Sequence, residues 1–257
     1  MTASLDECWL KITRAESHFD IVKSAIHGFL QPNPERIAGQ LDAESGEEVY
    51  YTRRYPGTRR EWSIIIGDAL QNWRNALDYI VCGLVRMNGE EPSSSNAFPI
   101  VDRESDYPAQ SKQRIARVYP GSEAVVEGLQ AFNRGNAPED DPLCRLRDMN
   151  NWDKHKALHT TTHVVQLESA WPVRMSEDPS AGKFVSGAFE RERPLARIPA
   201  DRELGQAYAE MVFDATFDIA FEGGPPLTEG LEVIETLQQI GDFVRFETLP
   251  RFAQFFA

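Results

Sequence analysis

Cysteine is scarce in this 257-residue sequence, basic charge is in deficit, and no apolar run is long. Cys8, Cys82 and Cys144 stand far apart with no CxxC pair. An odd, scattered set fits a reducing cytoplasm and argues against a disulfide framework. No apolar stretch reaches the ~18 residues of a membrane span. The opening residues, Met1-Thr2-Ala3-Ser4-Leu5-Asp6-Glu7, lack the basic and apolar regions of a signal peptide. The expectation is a cytoplasmic protein with no membrane association. Lys and Arg number 27 against 40 Asp and Glu, a net charge of -13. That excludes broad nonspecific nucleic-acid binding, which needs a basic surface, and leaves room only for a small local basic cleft. A Gly-rich phosphate loop, a G-x-S-x-G elbow and an HExxH helix are all missing, so none of those chemistries has a motif here. No cofactor is expected.

What is present suits a folded chain. Apolar residues make up 41%, charged residues 26%, and 14 Phe and 5 Trp can fill a core. The length fits a single domain over residues 1–257. The acidity is uneven: residues 201–257 hold eleven Asp and Glu, three Arg and no Lys. Such a stretch reads as a solvated acidic face, or as a docking surface for a basic protein partner or a mimic of nucleic acid.

Helical periodicity dominates the first 160 residues. Ser4-Leu5-Asp6-Glu7 has the form of a capping box. Leu5, Trp9, Ile12, Phe19, Ile26 and Leu30 then predict a long helix over 4–30, ended by Pro32 and Pro34. A strand is predicted near 49–54, closed by Pro56-Gly57. Leu70, Trp73, Leu77, Ile80, Val81 and Leu84 predict a second long helix over 61–87. Residues 90–99 read as a loop, with shorter helices over 105–118 and 122–132. Asp141-Pro142 reads as an N-cap followed by proline at the first helical position, opening a helix through Leu143, Leu146 and Met149 to about Leu158. The period then shortens to two. Met211, Phe213, Ala215, Phe217, Ile219 and Phe221 form one face of a strand that Phe184–Arg191, Leu195–Ile198 and Tyr50–Arg53 could join, giving a sheet over about 183–222. A closing helix is predicted over 227–249. The fold class is therefore α+β, mainly a helical bundle with a small antiparallel β-sheet.

Three constellations could carry chemistry. Arg74 and Asp78 are four apart on the second long helix and face one side, with Asp68, Asn72, Asn75 and Tyr79 on a neighbouring line. An Arg beside Asn and Asp can hold a phosphate bidentately, or it can be a buried pair that ties elements together. Asn150 and Asp153 extend the apolar face of the later helix as polar residues. His155 follows them as the best candidate acid or base, because His titrates near neutral pH, or as a residue bracing the bundle. His155, His159 and His163 recur every four residues, and His155 and His159 are weak candidate metal ligands if the helix continues that far. Cys144, near a helix start, could carry a lowered pKa or simply fill core.

The motifs Gly67-Asp68-Ala69-Leu70-Gln71-Asn72-Trp73-Arg74-Asn75-Ala76-Leu77-Asp78-Tyr79, Phe98-Pro99-Ile100 and Asn151-Trp152-Asp153-Lys154-His155 resemble, in order, those of an uncharacterised bacterial and phage protein family with G-D-x-L-x-N-x-R-x-A-L-D-H, F-P-I and N-x-D-K-H signatures. The match covers residues 60–160 and carries no known activity. The Arg74 helix also loosely resembles the motif of HEPN domains, helical bundles that are often dimeric and include metal-independent ribonucleases. In that motif a His follows the Arg by a few residues. Here Tyr79 occupies that position, and Tyr, with an ordinary pKa near 10, is a poor base at neutral pH. The resemblance implies a homodimer with a polar pocket between the two long helices and the 141–158 helix. It also implies RNA as a partner, with Arg74 holding phosphate, Tyr79 serving as a hydrogen-bond donor or His155 taking the place of the missing His as acid and base, and Asn72, Asp78 and Asp153 orienting them, or else an inactive relative. The rival readings are a non-enzymatic binding or regulatory protein acting through its acidic surface, and a metal-dependent hydrolase.

Overall fold

The structure is a computed structural model that describes residues 4–30, 37–52, 60–135, 137–172, 183–184, 196–201, 206–207 and 211–256. It is mainly helical, with two small antiparallel sheets, an α+β fold. Contacts cluster into two compact units: residues 1–25, 59–160 and 221–257 in the first, and residues 26–58 and 161–220 in the second.

Two long helices dominate the first unit's sequence, α1 (Asp6–Leu30), whose residues from Ile26 onward cluster with the second unit, and α2 (Arg60–Met87). Ser4 Oγ accepts from the Asp6 N–H at 3.2 Å and donates to Asp6 Oδ2 at 2.9 Å, so the partner of the capping serine is Asp6 and not the predicted Glu7. The buried line of α1 is Cys8, Ile12, Ala15, Phe19, Val22 and Ile26, alternately four and three residues apart. Trp9, predicted to face the core, lies one residue off that line and is exposed. α2 buries Trp62, Ile66, Leu70, Trp73, Leu77, Ile80 and Leu84 and ends before Gly89, whose φ of +76° suits a left-handed cap.

The shorter helices are α3 (Tyr107–Ser111), α4 (Ser122–Gly128), α5 (Ala131–Arg134) and α6 (Pro142–Asp153). Asp141 caps α6 as its sequence predicts, accepting from the N–H groups of Leu143 at 2.9 Å and Cys144 at 3.1 Å. The helix stops at Asp153 rather than Leu158, and turns follow. The closing segment also starts later than predicted. Gly230 takes a φ of +78° and residues 226–230 turn, so α7 (Val233–Asp242) begins six residues after Leu227. It runs into a π-helical turn, Phe243–Thr248, then α8 (Leu249–Phe252). Trp73, Phe98, Leu129 and Phe252 are fully buried. Gly241 lets the Trp73 ring approach so closely that a Cβ there would stand 2.7 Å from Cζ2.

The second unit holds a sheet in the order β1 (Ile37–Asp42), β2 (Glu47–Thr52), β5 (Ala196–Asp201), β4 (Lys183–Phe184), with β6 (Gln206–Ala207) pairing β5. Its pairs are antiparallel, with Tyr50 opposite Ala196 and Phe184 opposite the same residue. Glu47 to Tyr50 of β2 therefore pair with Pro199 to Ala196 of β5, while residues 53, 54 and 195 of the two predicted strands lie outside the described residues. Residues 185–191 of the predicted Phe184–Arg191 strand lie outside the described residues. The 211–221 strand has a different partner from the one predicted. β7 (Met211–Glu222) pairs with β3 (His159–Pro172) in a separate sheet. β3 opens with β-branched residues, Thr160-Thr161-Thr162 and Val164-Val165, and has 14 residues to the 12 of β7.

Candidate functional site

Arg74 and Asp78 sit one turn apart on α2 and close on each other, Nη2 to Oδ1 at 2.8 Å. Both also reach the same residue of the 88–102 loop. Arg74 Nη2 donates to the Phe98 carbonyl at 2.7 Å, and Asp78 Oδ1 accepts from the Phe98 N–H at 2.8 Å. The Phe98 ring is itself fully buried and meets Phe252 edge-on at 6.3 Å. A buried loop has no ladder partner for its backbone, so side chains must supply one. Burial raises the Asp78 carboxyl above the usual range, against the pull of Arg74, the Phe98 N–H, Arg114 and Lys154. Burial also lowers Arg74, with Asp78 opposing and Arg114 adding repulsion. Arg retains its proton in proteins, and at 2.8 Å the pair is ionic. Arg74 Nη1 is buried with no hydrogen bond among the described residues.

The next residues of the loop are held in the same manner. Gln130 Nε2 donates to the Pro99 carbonyl at 3.0 Å, while its Oε1 accepts from the Val101 N–H at 2.9 Å. Arg147 on α6 reaches the Ile100 carbonyl at 3.5 Å, grips both oxygens of Asp102, and meets Asp148 at 2.6 Å. Burial opposes the Arg147 charge, but the bonded carboxylates of Asp148 and Asp102 outweigh it and raise the guanidinium. Upstream, buried Asn96 accepts from the Ser93 N–H and hydroxyl and donates to the Arg114 and Ala116 carbonyls. The sequence reading missed Asn96, Asp102, Gln130 and Arg147. The usable signal was the apolar run Phe98-Pro99-Ile100-Val101, which has to bury its backbone as well as its side chains.

The opposite end of the same α2 face differs. The Asp153 carboxylate lies directly over Gly67, where a Cβ would stand 2.6 Å from its Cγ. Burial raises the Asp153 carboxyl, and the like charge of Asp68 raises it further. No hydrogen bond answers that carboxylate among the described residues. Asn72 donates to the Asp68 carbonyl of its own helix at 2.8 Å, and Gln71 donates to Asn75 at 2.7 Å. Tyr79 is partly exposed, with the Lys11 ammonium 5.7 Å from its ring centre. His155 follows the end of α6 with its side chain exposed and free of hydrogen bonds among the described residues. His159, also exposed, opens β3, so the two do not share a helical face. The side chain of His163 lies outside the described residues. Among the described residues no three His, Cys, Asp or Glu side chains gather as metal ligands. Burial, with Asp141 and Asp102 nearby, pushes the Cys144 thiol up, and burial pushes Cys8 up to about 12, so neither is an activated nucleophile.

A cleft of about 250 Å³ opens between the start of α6 and α7, lined by Asp140, Arg145, Glu232, Glu235, Thr236 and Gln239. Arg145 is held by the Glu139 carbonyl and Gln239 Oε1, each at 2.7 Å, and by Asp140 at 3.6 Å. Asp140, Glu232 and Glu235 therefore give the cleft an excess of negative charge. No helix among the described residues is long and apolar enough to cross a membrane. No protein-family model matches the chain, and neither a curated protein nor a solved structure does.

Proposed function

We propose that this chain is a non-catalytic binding protein, built on a HEPN-like scaffold, that engages a basic partner through its acidic cleft. The observation that carries this reading is the commitment of Arg74 and Asp78 to the two backbone groups of Phe98. Only Nη1 of Arg74 is without a hydrogen bond among the described residues, and that atom is buried, so a phosphate would have to displace the loop that Nη2 anchors in order to reach it. The arginine's loss of partners would then oppose any gain in the transition state, where catalytic groups must bind more strongly than in the ground state. Asp140, Glu232 and Glu235 around a 250 Å³ opening suit the ammonium or guanidinium of a partner's Lys or Arg. The ribonuclease reading has one observation in its favour. Arg74, Arg114 and Lys154 all act on Asp78, a local concentration of positive charge in an acidic chain, and exposed His155 adjoins Lys154.

One experiment separates the two. The pure protein is incubated with a mixed RNA pool in EDTA and in added divalent metal, beside His155→Ala, and is titrated in parallel with a Lys/Arg-rich peptide. The binding reading expects intact RNA in every lane, and peptide affinity that falls with salt and is lost in the Glu232→Lys/Glu235→Lys variant. RNA cleavage in EDTA that disappears in folded His155→Ala would overturn it.

A further inference from the structure

The cleft between α6 and α7 changes sign with depth. Its floor is basic. Arg145 lines the opening although it is only 8% exposed. Its Nε donates to the Glu139 carbonyl and its Nη1 to Gln239 Oε1, which fixes the plane of the guanidinium. Nη2 makes no hydrogen bond among the described residues. Its one ion pair there is with Asp140 at 3.6 Å, on a side chain that is 75% exposed. The start of α7 borders the same cleft through Glu232, Glu235 and Thr236, and Glu232 gives that helix no side-chain cap. The first N–H groups of a helix have no partner within it and carry positive partial charge, so they attract an anion. The rim is acidic. Asp140 and Glu235 are exposed, and Gln239 Nε2 donates to Glu235 Oε1 at 3.0 Å. Gln239 thus ties floor to rim, its oxygen on Arg145 and its nitrogen on Glu235.

We infer, resting on the basic-partner reading above, that the cleft takes a lysine or arginine whose α-carboxylate is free, as at the C-terminus of a protein. The carboxylate goes to Arg145 Nη2 and the start of α7, where a charge-assisted bond meets little competition from water. The side-chain cation goes to Asp140 and Glu235 at the rim. An internal lysine supplies the cation alone and shuts Nη2 away from water without an acceptor, a cost that discriminates against it. A simple anion is repelled, because three carboxylates line the cleft against one guanidinium. Size agrees with a single residue: about 250 Å³ lies below the ~300 Å³ at which pockets for drug-sized ligands begin. The free amino acid carries the same two groups as a chain end.

The test is calorimetric titration of the full chain with two Lys-rich peptides of one sequence ending in lysine, one a free acid and the other a C-terminal amide. The free acid is expected to bind at least tenfold more tightly. Arg145→Gln should erase that ratio. Glu235→Gln, at an exposed position, should weaken both peptides and leave the ratio standing. Asp140→Asn, also exposed, serves where Arg145→Gln does not fold: it removes the competing carboxylate, and the ratio should rise. Free lysine as competitor separates the sources. Displacement of the acid peptide by equal concentrations assigns the site to the amino acid, and its failure assigns the site to a chain end. Equal binding of the two peptides to the native chain would overturn the inference and leave the basic-partner reading standing. So would an undiminished ratio in folded Arg145→Gln, or a fall in Asp140→Asn. Binding by neither peptide nor by free lysine would overturn both.

Discussion

The two ends of one α2 face treat charge in opposite ways. At the Arg74–Asp78 end, two opposite charges and both backbone groups of Phe98 are joined within hydrogen-bond distance, with only Arg74 Nη1 of that group left without a partner among the described residues. Two turns before Arg74, at Gly67, a carboxylate from α6 is set down beside another carboxylate, with a glycine making the space. The first arrangement stabilises the fold by satisfying groups that burial would otherwise leave stranded. The second costs stability and survives only because the rest of the fold holds it in place. Dense polar residues on an apolar helix thus mark two different things, and the sequence alone does not separate them.

The largest expected effect breaks the first end. Arg74→Ala leaves Asp78 buried without its cation and Phe98 without its donor. It should lower unfolding free energy by about 3–5 kcal/mol in a urea titration, and a change below 1 kcal/mol would mean the pair is ornamental. The second end responds next. Gly67→Ala gains helix propensity, about 1 kcal/mol, yet forces the Asp153 carboxylate to move, at a cost of ~1–3 kcal/mol for overpacking. The single variant should therefore be destabilised, and Gly67→Ala/Asp153→Ala should be more stable than the single, since that partner's carboxylate is gone. Additive effects in this cycle would show that the two sites do not touch.

A smaller effect carries a pH signature. The folded state raises the Asp153 carboxyl, so the stability tied to that group is full below the ordinary aspartate range (~4) and is lost as pH rises through the folded value. Asp153→Asn cannot ionise. It should melt higher than the native protein at neutral pH, by less than ~1 kcal/mol after solvent screening, and the advantage should vanish in acid. An advantage that persists unchanged at low pH would remove the like-charge explanation. The smallest effect belongs to Tyr79→Phe. Its hydroxyl has no bond among the described residues, and stability should stay within about 0.5 kcal/mol, read from the same melting curves.

Much of the helical framework was legible because apolar residues recur at helical spacing from Cys8 to Ile26 and from Trp62 to Leu84. The Arg74–Asp78 pair was legible from its four-residue spacing. Its target was not. Phe98 lies twenty residues past Asp78 in a stretch that reads as loop, and nothing local says that the loop is buried. Gly67 is legible as part of a motif, while its meaning depends on Asp153 arriving from another helix. The end of α6 was misread because Ala157 and Leu158 continue an apolar pattern. The chain instead turns at 154–156 and enters β3, so His155 and His159 lost the shared helical face their spacing suggested. The pairing of β7 with β3 rather than β4 or β5 was hidden for a similar reason: alternation identifies a strand but not its neighbour.

Amide hydrogen exchange at Phe98 tests the central claim most directly, because that N–H is donated to the Asp78 carboxylate and to no backbone ladder. The account predicts strong protection of this amide in the native protein. It predicts near-solvent exchange in Asp78→Ala at pH and temperature where the amides of Leu70 to Ile80 in α2 remain protected. Rapid exchange at Phe98 in the native protein, or protection undiminished in Asp78→Ala, would contradict it.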